Sequence, residues 1–425
     1  MPGRRRHDPR RPGLAVTRRR FVIVGGGVTG ASAASTLRGE GFDGEILLVG
    51  DEPDLPYERP PLSKEWLART EPPLVVYPED WYADNAVELL TGTRVTALDR
   101  SEREVTLSGG ATLGFDALLI ATGGQARRLP GLSDVCEDRV HHLRTRADSD
   151  ALRSRLTPGE RLVVLGGGFV GCEVAATARK LGVEVTILEM AAAPLERALG
   201  TELGGLFAGI HRAAGVDLRC GERVESVART GDGLVVHTDR GALECSTLLV
   251  AAGLVRDTEM WAAAGVPCAD GVLVDAGCRT GVPGVFAAGD VVAHDHPRYG
   301  RLRVEHHDSA VRQGAVAARN MLGAGAEFDE PHWFWSDQYD HTLQSYGGVG
   351  EPDLDETVIR GRPEEGSFVR FGLSAGRVVS VLGLNRRAEV MAGRRLVLSG
   401  HPVPAEQLRD ESVDLRRLLR RPARA

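Results

Sequence analysis

Two short segments of this 425-residue chain are near-copies of each other, FVIVGGGVTG at 21–30 and LVVLGGGFVG at 162–171. Each is a β-branched apolar run that ends in GxGxxG and flows into an Ala-rich stretch with a helical pattern. Each is followed by a second apolar run closing on an acid. EILLVGD ends at Asp51, 21 residues past Gly30, and VEVTILE ends at Glu189, 18 past Gly171. A lone GxGxxG says little. Placed between a strand and a helix, with an acid about 20 residues further on, it is what a dinucleotide requires. The first glycine (Gly25, Gly166) makes the tight turn. The second (Gly27, Gly168) lets backbone approach a pyrophosphate, and the third (Gly30, Gly171) lets the helix pack on its sheet. The helix N-terminus then offers the phosphates its free N–H groups and positive dipole end. Asp51 and Glu189 are placed to accept hydrogen bonds from ribose hydroxyls. Two such units predict an α/β chain with two Rossmann-like nucleotide-binding domains, and the natural pairing of ligands is a flavin with a nicotinamide.

Composition narrows the class further. Hydrophobic residues make up 42% and charged residues 26%, and no run of 18 apolar residues occurs, so no membrane span is predicted. The formal net charge is −7, but the first 20 residues hold eight arginines against Asp8, which leaves −14 on the rest. A body that acidic argues against nucleic acid as a partner. Arg18-Arg19-Arg20 followed by apolar residues superficially matches a twin-arginine export signal. The glycines of that apolar run are the ones a folded cofactor site needs, so residues 1–17 are read as a disordered basic tail. The cysteines at 136, 172, 220, 245, 268 and 278 have no two within nine residues of each other. That spacing gives no zinc knuckle, iron–sulfur cluster or short-loop redox disulfide, so no metal is expected, and free thiols fit a reducing cytoplasm.

Two more apolar strands end in small residues, LLIATGG at 118–124 and VFAAGD at 285–290. Asp290 stands at such a strand end, where a carboxylate can hold ribityl hydroxyls or cap a helix. Together with LPYERPPLSKEW (55–66), GGGFVGCE (166–173), VEHHDSAVRQG (304–314) and FWSDQYD (334–340), these motifs carry a family resemblance. The chain resembles the FAD-dependent pyridine-nucleotide oxidoreductases, and within them the ferredoxin reductases that serve cytochromes P450 and Rieske dioxygenases. The likeness runs from about residue 18 to about 400. RPPLSK and FWSDQYD are particular to this branch and to the related apoptosis-inducing factor.

The resemblance implies FAD at the first fingerprint and NADH at the second. It places Gly25, Gly27, Val28, Thr29, Gly30, Asp51, Arg59, Lys64, Val95, Ala121, Thr122, Gly123, Gly289 and Asp290 against FAD. Lys64 and Glu173 form a pair beside the flavin ring, taken as the catalytic residues, because an ammonium there stabilises an anionic reduced flavin. Gly166, Gly168, Phe169, Val170, Gly171, Glu189, Arg197 and Gly253 fall to the nicotinamide nucleotide. Glu189 favours NADH, since a carboxylate repels a 2′-phosphate and Met190-Ala191-Ala192-Ala193 supply no arginine. The family commonly has proline and arginine at the positions of Ala192 and Ala193. Glu305 and His306 run past the flavin, and Trp335 stands near the electron exit. Two arginine pairs in LNRRAEVMAGRRLV (384–397) could face an acidic ferredoxin or simply a solvated helix face.

The implied activity is electron transfer from NADH through FAD, singly, to a [2Fe–2S] ferredoxin serving a P450 or Rieske oxygenase. Two alternatives stay open on the same scaffold. One is a disulfide- or peroxide-type NADH oxidase, which needs a cysteine near the flavin. The other is an NADH-binding flavoprotein like the apoptosis-inducing factor. The expected layout is an FAD-binding domain of 18–125 and 255–327, an NADH-binding domain of 126–254 and a C-terminal α+β domain of 328–425. The alternating stretch SFVRFGLSAGRVVSVLGL (367–384) supplies the last with strands around an SAG turn, and the chain after about 409 is expected to fray.

Overall fold

A computed structural model describes residues 18–70, 74–131, 136, 138–348 and 354–419. The basic tail expected at 1–17 lies outside them. Each fingerprint opens a five-stranded parallel sheet. The first runs in the order Val285–Ala287, Ala117–Ile120, Arg20–Val24, Glu45–Val49, Val87–Leu90. Its central strands are apolar nearly throughout, as a sheet covered on both faces demands, and Phe21, Val22, Ile23 and Val24 are all buried. Helices Val28–Gly39 and His307–Met321 pack together on one face. The second sheet has the order Asp217–Cys220, Glu184–Glu189, Arg161–Leu165, Thr247–Val250, Val140–His141. A three-stranded antiparallel sheet accompanies each, at 95–114 and at 224–245. The chain passes between the two halves at Gln125–Ala126 and Leu254–Val255, and these two crossings pair antiparallel.

The C-terminal part is an antiparallel sheet in the order Trp333–Gln338, His341–Gly347, Arg377–Leu384, Ser367–Ser374, Glu356–Arg362. The turn in SFVRFGLSAGRVVSVLGL is at Ala375 and Gly376, both at positive φ, which matches the twist of the strands it joins. Helix Arg387–Ser399 covers one face. The expected fraying after 409 is corrected up to residue 419. Leu408 and Leu415 are buried. The nearly buried Arg360 guanidinium donates to the carbonyl oxygens of Leu408, Asp410, Glu411 and Val413 and to Glu389 Oε1. An arginine-rich sequence hides this, because the leucines that pack on the core, Leu408, Leu415, Leu418 and Leu419, are scattered among charged residues.

Candidate functional site

The tight turns that sequence reading assigned to the fingerprint glycines are visible as close approaches. A Cβ on Gly25 (φ +130°) would sit 2.1 Å from the Ala121 carbonyl oxygen, and one on Gly166 (φ +104°) 2.5 Å from that of Ala251. The third glycines are equally constrained, with Gly30 and Gly171 packed on the carbonyl oxygens of Gly25 and Gly166. The middle glycines differ. Around Gly27 and Gly168 nothing lies within 4 Å of an added Cβ. The chain needs the outer glycines for itself and leaves the inner one facing open space, a cradle of the kind a pyrophosphate requires.

The first cradle opens into a cavity of about 820 Å³, at the large end for small-molecule pockets. Gly25, Gly27, Val28, Thr29, Asp51, Arg59, Lys64, Val95, Ala121, Thr122 and Gly123 line it. Phe169, Val170 and Glu173 of the second fingerprint's helix also line it, as do Asp290, Glu305, His306 and Trp335. The helix that begins at the second cradle therefore forms a wall of the first cavity. Gly30 and Gly289 pack beneath this surface, Gly289 against Thr29. Gly166, Gly168, Gly171 and Glu189 belong to the separate second cradle. Arg197 is exposed on the first turn of helix Glu196–Ala213. Gly253 lies at the chain crossing, its carbonyl accepting from Arg127 N.

At the wall where the two halves meet, Lys64 Nζ lies 3.0 Å from Glu173 Oε2, and both side chains are at most one-tenth exposed. This is not a solvated surface pair. Glu173 Oε2 also accepts from Ser63 Oγ at 2.5 Å, and Oε1 accepts from Ser336 Oγ at 2.7 Å. The carboxylate is thus held by three donors from two distant segments, Ser63 and Lys64 on one and Ser336 on the other. Asp290 makes no helix cap. Its Oδ2 accepts from Arg144 Nη2 at 3.0 Å, across the two halves, while the Arg144 carbonyl accepts from Arg59 Nη1 at 2.6 Å. Arg59 Nη2 donates to Glu52 Oε1 at 2.6 Å. Asp51 meets Arg94 at 3.1 Å in the open, at the end of its strand. Glu189 binds its own backbone, Oε2 accepting from Gly167 N at 2.6 Å and Oε1 from Ala191 N at 2.8 Å.

Glu305 pairs with Arg256. The His306 ring lies 4.7 Å from that of Phe334, and its Nδ1 has no partner among the described residues. Its enclosure pushes the imidazole down to about 4, against the pull of Asp290, so it is neutral at pH 7. Trp335 meets His307 edge-on at 5.7 Å, and His307 pairs with Glu58. Of the two arginine pairs, Arg386 and Arg394 are occupied internally, with Glu389 and Glu411 and with Glu330. Arg387 and Arg395 are exposed. None of the six cysteines lines the cavity. Cys172 is completely buried and burial drives its thiol far upward, so it is no nucleophile.

Sequence reading missed Ser63, Ser336 and Arg144. The serines lie inside motifs already singled out, but a hydroxyl carries no pattern of its own. Arg144 had no signal at all in a chain so rich in arginine.

Residues 19–314 match the family described as Pyridine nucleotide-disulphide oxidoreductase, and residues 333–419 match Reductase C-terminal. This chain belongs to the pyridine nucleotide-disulphide oxidoreductases, an FAD- and NADH-using family. It is 40% identical over 404 residues to the anthranilate 1,2-dioxygenase system ferredoxin–NAD(+) reductase component of Burkholderia cepacia, covering 94% of this chain and 99% of that one. It is 35% identical over 407 residues to putidaredoxin reductase of Pseudomonas putida, covering 94% and 96%. The structure of the covalent putidaredoxin reductase–putidaredoxin complex superposes with a TM-score of 0.90 at 34% identity, covering 94% and 98%. No described helix is long and apolar enough to cross a membrane.

Proposed function

We propose that this chain is an NADH:ferredoxin oxidoreductase in which the first cradle holds FAD, the second holds NADH, and the electrons leave singly to a [2Fe–2S] ferredoxin that serves a P450 or Rieske oxygenase. The observation that carries the reading is the buried Lys64–Glu173 pair on the wall that the second fingerprint's helix lends to the first cavity. FAD, when bound, accepts the two electrons of a hydride and releases them one at a time. The chain's own work is positioning and electrostatics. Gly27 would admit the pyrophosphate to the helix N-terminus, and Asp51 would accept from the adenosine ribose. Asp290, held by Arg144, would hold the ribityl chain. Lys64 presents a charge whose location is fixed by Glu173, and the cavity wall excludes water from it. At the second cradle, Glu189 would accept from the NADH ribose in addition to its backbone contacts. The chemistry needs no general acid.

The division expected from sequence, 18–125 with 255–327 for FAD, 126–254 for NADH and 328–425 for the C-terminal domain, is supported by the two parallel sheets and by the paired crossings. Six unpaired cysteines favour the cytoplasm. The test is direct. The purified protein is yellow, NADH bleaches it anaerobically, and a [2Fe–2S] ferredoxin reoxidises it. Protein that folds without flavin, or flavin that NADH does not bleach, overturns the reading.

A further inference from the structure

Glu173 is the end of a longer hydrogen-bonded chain. Ser336 Oγ, 2.7 Å from Glu173 Oε1, lies 3.2 Å from Gln338 Nε2. Gln338 Oε1 lies 3.0 Å from His211 Nε2, and His211 Nδ1 lies 2.9 Å from Tyr339 Oη. Ser336, Gln338 and His211 are all essentially buried. The chain runs from helix Glu196–Ala213 through the edge strand of the C-terminal sheet to the carboxylate beside Lys64.

Chemistry fixes its direction. A carboxylate only accepts, so the single hydroxyl proton of Ser336 goes to Glu173. Ser336 Oγ then accepts from the Gln338 amide N–H, which turns the Gln338 carbonyl to His211. His211 must carry its proton on Nε2 to satisfy that carbonyl, and Nδ1 accepts from the Tyr339 hydroxyl. Burial keeps His211 neutral, its imidazole pushed down to about 4, so one ring nitrogen is free to accept. Every donor in the series therefore points toward Glu173. Aligned hydrogen bonds in a dry environment polarise one another, and the positive end of this series is at the carboxylate.

We propose that Tyr339, His211, Gln338 and Ser336 are positioning residues that aim Glu173 at Lys64 and moderate its negative charge at the flavin site. This deepens the proposed function and rests on its reading of Lys64 and Glu173. Cutting the series leaves more negative charge beside the reduced cofactor and frees the Glu173 side chain to leave Lys64. Both effects lower the flavin midpoint potential and slow its reduction by NADH.

The experiment compares holoenzymes of Ser336→Ala, Ser336→Thr, Gln338→Leu and Tyr339→Phe with wild type. The readouts are FAD content, the midpoint potential by spectroscopic titration, and stopped-flow reduction by NADH. Ser336→Ala is expected to keep FAD, to show a lower potential and to be reduced about tenfold more slowly, equivalent to about 1.4 kcal/mol. Ser336→Thr restores both values. Tyr339→Phe, which removes only the far hydroxyl, shifts the potential in the same direction by less. A Ser336→Ala enzyme with wild-type FAD content and wild-type potential overturns the proposal. Should that variant fail to fold, an unchanged potential in both Gln338→Leu and Tyr339→Phe overturns it. Lys64→Met separates the two levels. If its potential and reduction rate are unchanged, the reading of the Lys64–Glu173 pair fails. If they change while the Ser336, Gln338 and Tyr339 variants behave as wild type, only the positioning role of the series fails.

Discussion

At the residue scale the chain concentrates its chemistry on very few side chains. One of only two lysines, Lys64, is in the wall of the large cavity. Its replacement by methionine keeps the volume and removes the charge. The expected result is bound FAD with a lowered midpoint potential and at least about tenfold slower reduction by NADH, read by stopped-flow absorbance. In the proposed function Glu189 governs the choice of nucleotide. Glu189→Ala gives up the ribose contact and the repulsion of a 2′-phosphate together. The KM for NADH is expected to rise about tenfold or more while that for NADPH falls, measured by steady-state kinetics with both. These residues were legible because each stands at a fixed offset from a glycine motif or inside a motif with a shared spelling. Ser63, Ser336 and Arg144 were not, because their roles exist only once distant segments meet. Ser336 is 163 positions from the carboxylate it serves, and Arg144 is 146 from Asp290.

At the scale of elements, the fingerprint is two constraints laid on one turn. Gly30→Ala drives a Cβ to 2.2 Å from the Gly25 carbonyl and is expected to give little folded protein. Gly27→Ala meets no atom of the chain and is expected to fold, with a circular dichroism spectrum like wild type but a lowered ratio of flavin to protein absorbance. The strand Val292–His296 and its neighbour His332 form a second kind of element-level device. His294 and His332 are pushed by burial down to about 4 and about 3, and His296 is lowered too. Such groups are neutral in the folded chain and take up protons on unfolding once the pH drops below about 6.5. Their contribution to stability is complete above that value and is lost as pH falls toward 4. Urea midpoints of the holoenzyme are therefore expected to fall between pH 7 and pH 5, and His332→Asn should flatten the dependence. Element type was well marked in the sequence, since parallel strands read as apolar runs and the C-terminal strands as alternation. The four-stranded sheet of Cys268–Ala269, Gly271–Val274, Val292–His296 and Gly300–Leu302 was not foreseen, because its strands are short and one carries two histidines.

On the scale of the whole molecule, the C-terminal segment is tied down by one buried cation as well as by the leucines it packs on the core. Arg360→Met removes donors from four carbonyls and from Glu389. A loss of about 3–5 kcal/mol is expected, seen as a lower denaturation midpoint and as new proteolytic cleavage near residue 410. The first sheet has another whole-molecule property, which concerns time. Its strands up to Ile120 are made early, but the strand that closes it, Val285–Ala287, pairs with Ala117–Ile120 only after the entire second half has been synthesised. At roughly 5–20 residues per second that interval is on the order of 8–33 s. For that period Ala117–Ile120 is an unpaired apolar edge, a template for any other nascent strand that reaches it. The antiparallel pairing of the two crossings, Gln125–Ala126 with Leu254–Val255, delivers the chain back beside the waiting edge as soon as the intervening half is complete. Translation speed through residues 121–284 is thus a variable to which the yield of soluble holoenzyme should respond.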